Sequence, residues 1–180
     1  MELGQSTYDM VKGDDGYWSV TTKPLLPGFH YYGVSVDGFV ANDPGSRVFF
    51  AARKEVSGLE VPSSESEFFA IKDVPHGTLR TEWYFSKTTG KTRRVFVYTP
   101  PGYDLSTSRF PVLYLHHGYG EDEAGWSDQG HENFILDNLI AAHKATPRAP
   151  RRKWLPSDHI VHFIIESVET LDLRGFRVNE

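Results

Sequence analysis

The residues best suited to chemistry lie in a glycine-rich loop between an apolar strand and a helix-like segment. Residues 110–126 read FPVLYLHHGYGEDEAGW, and Glu132–His143 follows with helical character. A strand–loop–helix turn of this kind can aim backbone N–H groups at the negative oxygen that forms when an ester is attacked. A plain turn that needs its glycines only for geometry is the alternative interpretation.

The nucleophile that such a loop would serve has no recognisable pattern in this chain. The 180 residues contain no G-x-S-x-G elbow. Ser127 stands between Trp126 and Asp128. A triad histidine needs a nucleophile within hydrogen-bond reach. We therefore predict no catalytic serine, base or acid here, and structural roles for the histidines at positions 116, 117, 131, 159 and 162.

Metal binding and glycoside hydrolysis are both disfavoured by the spacing of the acidic residues. Two groups of possible ligands do not follow a ligand pattern such as H-E-x-x-H: His117, Glu121, Asp122 and Asp128, and Asp158, His159, His162 and Glu166. Glu121 and Glu123 lie two residues apart on a loop, which does not define the separation that a glycosidase pair requires. We predict no metal, no cofactor and a solvated acidic loop.

Composition excludes several classes of partner. The chain has 19 basic and 24 acidic residues, a net charge of −5, which favours neither nucleic acid nor an anionic membrane as its partner. It has no cysteine and therefore no disulfide or thiolate metal site. We find neither an apolar run long enough to span a membrane nor a signal-peptide pattern, and the compartment stays open.

The front of the chain has the pattern of a β-sandwich module. Four short strand candidates are separated by turn residues: Tyr17–Thr21, Phe29–Val36, Phe39–Ala41 and Val48–Ala51. A complete sandwich needs about seven strands, so residues 1–54 predict an incomplete module. The polar segment 55–67, EVSGLEVPSSESE, is predicted to be an interdomain linker.

The rear of the chain mixes strand and helix patterns. Strand candidates occur at Phe68–Ile71, Thr78–Ser86, Thr92–Thr99 and Val112–His116. In the helix-like segment an apolar stripe is predicted from Phe134, Ile135, Leu139 and Ile140. Residues 145–153 are basic and contain proline, and the apolar tail at 160–173 follows neither the strand nor the helix period.

Four motifs in order resemble the bacterial feruloyl esterases of the esterase D-like group. They are VPHG at 74–77, VYTPPGY at 97–103, LHHGYGEDE at 115–123 and FILDNLI at 134–140. The front end is similar to an immunoglobulin-like module, related to glycogen-binding domains, that often precedes such esterases; the similar residues are Tyr17-Trp18, Pro27-Gly28, Asp37-Gly38 and Asp43-Pro44. The resemblance covers roughly residues 8–146.

The resemblance implies a fold, a reaction and a site. The expected fold is α/β: a partial α/β-hydrolase sheet at 68–146, preceded by the partial immunoglobulin-like module and followed by a divergent tail at 147–180. The family cleaves esters between hydroxycinnamic acids and arabinoxylan with a Ser–His–Asp triad. Gly118 and Tyr119 match the oxyanion-hole loop, and Trp126 could stack on a ferulate or sugar ring or pack the loop instead.

We therefore expect a feruloyl-esterase-like carboxylic ester hydrolase, present as a fragment that lacks the triad and is inactive alone. The partner implied is a hydroxycinnamoyl polysaccharide, in an extracellular or periplasmic setting for the intact family. The edge of the Val112–His116 strand could mediate self-association. The alternative is a non-catalytic carbohydrate-binding or interaction module, for which the aromatic candidates are Tyr17, Trp18, Tyr31 and Tyr32.

Overall fold

The structure is a computed structural model that describes residues 2–3, 6–107, 110–145 and 163–166. The chain divides into a front unit, Met1–Glu67, and a rear unit, Phe68–Glu180. Strands form most of the regular structure in both, and the rear unit also has two α-helices. Among the helices described here, none is long and apolar enough to cross a membrane.

The front unit is an antiparallel sheet of short strands. Its strands are β1 (Glu2–Leu3), β2 (Ser6–Thr7), β3 (Val11–Lys12), β4 (Trp18–Ser19), β5 (Gly28–Val36), β6 (Phe39–Ala41), β7 (Val48–Ala51) and β8 (Lys54–Val61). The main sheet has the order β2-β1-β5-β8-β7, with β6 on the far end of β5, while β3 and β4 pair separately. Three of the four predicted strands are confirmed, and Tyr17–Thr21 shortens to β4.

The β5–β6 hairpin forms where the sequence places Asp37-Gly38. Both residues have positive φ, 49° and 87°, which is the backbone of the two-residue turn that joins twisted strands most readily. A glycine and a short polar residue adopt this conformation at little cost. The hairpin expected from this dipeptide is therefore confirmed.

The predicted linker at 55–67 is wrong over most of its length. Residues 54–61 form β8, which pairs with β5 on one side and β7 on the other. Gly58 looks like a linker glycine, but a Cβ there would lie 2.5 Å from Phe29 and 2.7 Å from Phe49, whose rings pack over it. The β7–β8 turn uses Ala52 and Arg53 at positive φ, so no turn-type residue marks it in the sequence.

Within the described residues, the rear unit is a mixed sheet of four strands with two α-helices. Its elements are β9 (Thr78–Ser86), β10 (Lys91–Thr99), β11 (Leu113–His116), α1 (Gly125–Asp128), α2 (Glu132–Ala141) and β12 (Phe163–Glu166). The strand order is β11-β12-β10-β9. The predicted β9–β10 hairpin is confirmed along its full ladder. The buried core contains Tyr98 and Leu136, with partly buried Phe96, Leu113, Leu115 and Ile140 around them.

The apolar tail contributes a strand to the middle of this sheet. β12 runs parallel to β11 and antiparallel to β10. A parallel pair joined through α2 is a βαβ unit, the connection typical of α/β sheets. The divergence of the tail at 147–180 from the esterase family stays a prediction, and within this tail residues 163–166 form β12. Along its other side β11 has no strand partner within the described part of the chain, so self-association through this edge stays a prediction.

Two further expectations for the rear unit are wrong. Phe68–Ile71 is not a strand: a 3-10 helix ends at Phe68, and the carbonyl groups of Phe68 and Ala70 accept hydrogen bonds from Asn138 Nδ2 at 3.0 and 2.9 Å. The buried face of α2 also differs from the predicted apolar stripe. The buried residues of α2 are Glu132, Leu136 and Asp137, and two of these are acids, which a search for apolar residues leaves out.

Candidate functional site

The glycine-rich loop begins where β11 ends at His116 and is fastened to its own strand. The Trp126 Nε1–H donates to the His116 carbonyl at 2.8 Å, so the far end of the loop returns to the strand end. His117 Nδ1–H donates to the Gly118 carbonyl at 2.6 Å, and the Glu121 amide donates to the same carbonyl at 3.2 Å. These bonds close the loop into a defined turn.

The backbone amide of Gly118 already faces a negative oxygen. It donates to Glu121 Oε2 at 2.9 Å, in a solvent-exposed position. A Cβ on Gly118 would lie 3.0 Å from this carboxylate oxygen, and one on Gly125 would lie 3.1 Å from it. The two glycines therefore make room for the Glu121 side chain, and the loop holds one carboxylate against one amide.

The two other predicted site residues lie on the same loop. Tyr119 follows Gly118 and its side chain is 88% exposed. Trp126 is 38% exposed, and its indole N–H is used to close the loop. The Trp126 side chain thus fastens the loop to the strand end, and part of its ring is exposed to solvent.

Glu123 is not the solvated loop residue that the sequence suggested. It is only 4% exposed and forms an ion pair with Arg94 Nε on β10. A buried carboxylate is tolerated when a charged donor satisfies it. The prediction of a solvated acidic loop is therefore wrong at Glu123, and this pair ties the loop to β10.

A buried hydrogen-bond network joins three parts of the rear unit, and sequence reasoning missed it. Asp137 on α2 is 2% exposed. Its Oδ1 accepts from the Tyr98 hydroxyl at 2.6 Å and from the Gly77 amide at 2.8 Å. Its Oδ2 accepts from His76 Nδ1–H at 2.8 Å. The network therefore links α2 to β10 and to the segment before β9.

The geometry around Asp137 leaves little freedom to its partners. A Cβ on Gly77 would lie 2.4 Å from the Tyr98 ring, so only glycine fits there. Burial and the negative charge of Asp137 both raise the pKa of Tyr98, which keeps its hydroxyl a donor. The members of this network lie in three of the motifs that carry the resemblance, at 74–77, 97–103 and 134–140, but no local pattern showed that these motifs meet.

Those histidine and metal candidates that the structure describes do not assemble into a site. His117, Glu121 and Asp122 each bond to backbone within the loop. His131 stacks on Phe69 at 5.1 Å. Among the residues the structure describes, no cluster of three or more histidine, aspartate and glutamate side chains is arranged to hold a metal ion. His159, His162 and Asp158 lie outside the described residues.

Glu132 is a second buried acid at the start of α2, and it has no hydrogen-bond partner among the described residues. The residue is 4% exposed, and neither carboxylate oxygen is satisfied. Burial raises its pKa to about 7, and the nearby charge of Asp128 acts in the same direction. The N–H groups of the first helical turn oppose this rise but do not reach hydrogen-bond geometry.

Replacing Glu132 by glutamine is expected to remove a pH-dependent loss of stability. Because the folded pKa is raised from 4.5 to about 7, the protonated acid stabilises the fold below pH 4.5. That stability is lost as the pH rises towards 7 and above. The shift corresponds to about 3 kcal/mol. The free energy of unfolding is measured with urea at pH 4.5 and pH 8. Relative to the wild type, Glu132→Gln should be more stable at pH 8 than it is at pH 4.5.

The control for this experiment is Glu65→Gln, which removes an exposed glutamate in the same way. In this variant the free energy of unfolding should change between pH 4.5 and pH 8 by as much as it does in the wild type. If Glu132→Gln behaves like this control, Glu132 is ionised and solvated in the folded protein.

The comparisons with known proteins point to esterases. A family model described as "Putative esterase" matches residues 86–150, which include β10, the loop and α2. An endo-1,4-beta-xylanase/feruloyl esterase of Xylanibacter ruminicola is 43% identical over 142 residues, which cover 76% of this chain. The chain spans about a fifth, 20%, of the length of that relative. These matches confirm the resemblance to feruloyl esterases.

Solved structures of ferulic acid esterases are also similar to part of this chain. The enzyme of Anaeromyces mucronatus in complex with ferulic acid has 21% identity and a TM-score of 0.46, covering 59% of this chain and 33% of its own. The feruloyl esterase module of Clostridium thermocellum with sinapinate has 21% identity and a TM-score of 0.43, covering 66% and 34%.

Proposed function

We propose that this chain is the front part of a feruloyl-esterase-type carboxylic ester hydrolase that acts on hydroxycinnamoyl esters of xylan. The observation that carries the proposal is the Gly118 amide, which donates to a carboxylate oxygen at the end of β11, inside the segment matched by the esterase model. An N–H that holds a negative oxygen in this position is what ester cleavage requires.

In the proposed reaction this chain supplies amide donors, and residues outside it supply the nucleophile. A serine from elsewhere in the longer protein attacks the acyl carbonyl, and the carbonyl oxygen becomes negative in the tetrahedral intermediate. The amides of Gly118 and Tyr119 would donate to that oxygen. The exposed part of the Trp126 ring would contact the aromatic acyl group. The 180 residues contribute no nucleophile in an elbow sequence, and Ser127 is engaged with the Ala124 carbonyl at 3.0 Å.

Each of the two units corresponds to a different part of the proposed fold. We propose that β9 to β12 with α2 are the first strands and first crossover helix of an α/β-hydrolase sheet. The support is the parallel β11–β12 pair and its helical crossover. We propose that the front unit is part of an immunoglobulin-like module, because its strands pair antiparallel and tight turns join β5 to β6 and β7 to β8.

The alternative, a carbohydrate-binding module, has one observation in its favour. Tyr17 and Trp18 are 76% and 60% exposed, and exposed aromatic rings of this kind can stack on sugars. The other two aromatic candidates are engaged within the sheet. Tyr32 donates to Asp43 at 2.6 Å, and Tyr31 packs edge-on against Phe29.

The proposal predicts that the purified chain hydrolyses methyl ferulate no faster than a denatured sample. The reason is that loop donors stabilise a transition state but cannot supply an activated nucleophile. The measurement is the release of ferulate over hours at micromolar protein. Turnover above the denatured sample that is abolished by a serine-directed inhibitor would contradict this division of the site, because it would place a working serine within these residues.

A further inference from the structure

The loop after β11 contains an anion that belongs to the chain itself. Glu121 Oε2 accepts from the Gly118 amide at 2.9 Å, and this contact is exposed to solvent. Hydrogen bonds from an amide to a carboxylate are stronger than neutral ones, but water competes with an exposed one. This contact is therefore weaker than a buried charge-assisted hydrogen bond would be.

The side chain of Glu121 fits this position closely. Its carboxylate lies 3.0 Å from where a Cβ of Gly118 would be and 3.1 Å from where a Cβ of Gly125 would be. Its own amide donates to the Gly118 carbonyl at 3.2 Å, which turns the side chain back over the loop. The loop is thus built so that a carboxylate group occupies the space in front of the Gly118 amide.

We infer that this loop is a carboxylate-binding site whose internal occupant is Glu121, and that a hydroxycinnamate or acyl oxyanion binds there only by displacing it. The inference rests on the proposed function and adds regulation to the same site. One N–H makes one strong hydrogen bond, and two negative oxygens at the same amide repel each other. Glu121 therefore competes directly with the acyl group.

The test uses the whole 180-residue chain labelled with ¹⁵N and titrated with sodium ferulate. The dissociation constant is read from the shift of the Gly118 amide signal. Glu121→Ala should bind ferulate about tenfold more tightly than the wild type, because a charge-assisted competitor is removed. Glu121→Gln should fall between them, since its neutral amide oxygen still accepts but repels less.

The matched control is Asp122→Ala, which removes the same charge from the neighbouring residue together with its hydrogen bond from the Ala124 amide, and leaves the Glu121 side chain unchanged. It should bind ferulate like the wild type. If Asp122→Ala gains as much affinity for ferulate as Glu121→Ala, the gain comes from general repulsion between the acidic loop and the anion. That result would overturn the inference.

Two other results would also overturn the inference and separate it from the proposed function. Equal affinity in the wild type and in both Glu121 variants would leave the loop as a ligand site but remove Glu121 as its occupant. An unmoved Gly118 signal in all folded variants at millimolar ferulate would contradict the role of the loop in the proposed function as well.

Discussion

Replacing Asp137 by alanine is expected to lower the free energy of unfolding of the rear unit by about 3–5 kcal/mol. The change removes three hydrogen bonds, from Tyr98, Gly77 and His76, and takes away the carboxylate to which the buried Tyr98 hydroxyl donates. An unsatisfied buried donor costs its full desolvation penalty. Amide hydrogen exchange in β10, which lies in this unit, measures the change.

Two variants calibrate this result. Asp104→Ala removes an exposed partner of Arg80 and should cost less than about 1 kcal/mol, since exposed ion pairs contribute little. Tyr98→Phe removes only the hydroxyl and should cost about 1–2 kcal/mol, so it stays folded if Asp137→Ala does not. Exchange rates for Asp137→Ala close to those of Asp104→Ala would show that the network does not hold α2 in place.

The second large effect is expected at Gly118 in a protein whose rear part is restored. Residues 1–150, up to the end of the esterase match, would be joined to the corresponding rear segment of the Xylanibacter ruminicola relative. In this joined protein Gly118→Val should lower kcat about 10²–10³-fold, because the new side chain displaces the donor amide. KM should change far less, because the donor acts mainly on the transition state.

A glycine of the front unit provides the control for this substitution. Gly45 lies outside the left-handed region of φ, and a Cβ there would meet only the Asp43 side chain at 3.3 Å. Gly45→Val should leave kcat unchanged. Full kcat in folded Gly118→Val would mean that the loop is only a structural turn.

The hairpins and turns whose geometry depends on a few neighbouring residues were predicted correctly from the sequence. Alternation identified the β9–β10 hairpin, and Asp37-Gly38 identified the β5–β6 turn, because strand period and positive φ are properties of a few neighbouring residues. The linker prediction failed at Gly58 for the opposite reason. That glycine is required by two aromatic rings from other strands, which the sequence around it does not show.

The same distinction applies to the site. The loop at 117–126 could be predicted because its glycines, acids and flanking elements are contiguous. The bond between His76 and Asp137 joins residues 61 positions apart and could not be predicted in this way. The burial of Glu132 and Asp137 on α2 could not be predicted either, since apolar periodicity assigns acids to solvent.

The most direct test of the account is the initial rate of methyl ferulate hydrolysis by the joined protein. It should greatly exceed the rates of the 180-residue chain alone and of the rear segment alone, because the oxyanion loop and the serine then lie in one site. Inhibition by a serine-directed reagent should abolish it. A joined protein that is folded and monodisperse yet releases no ferulate above these two controls would contradict the assignment of this chain as the front part of a feruloyl esterase.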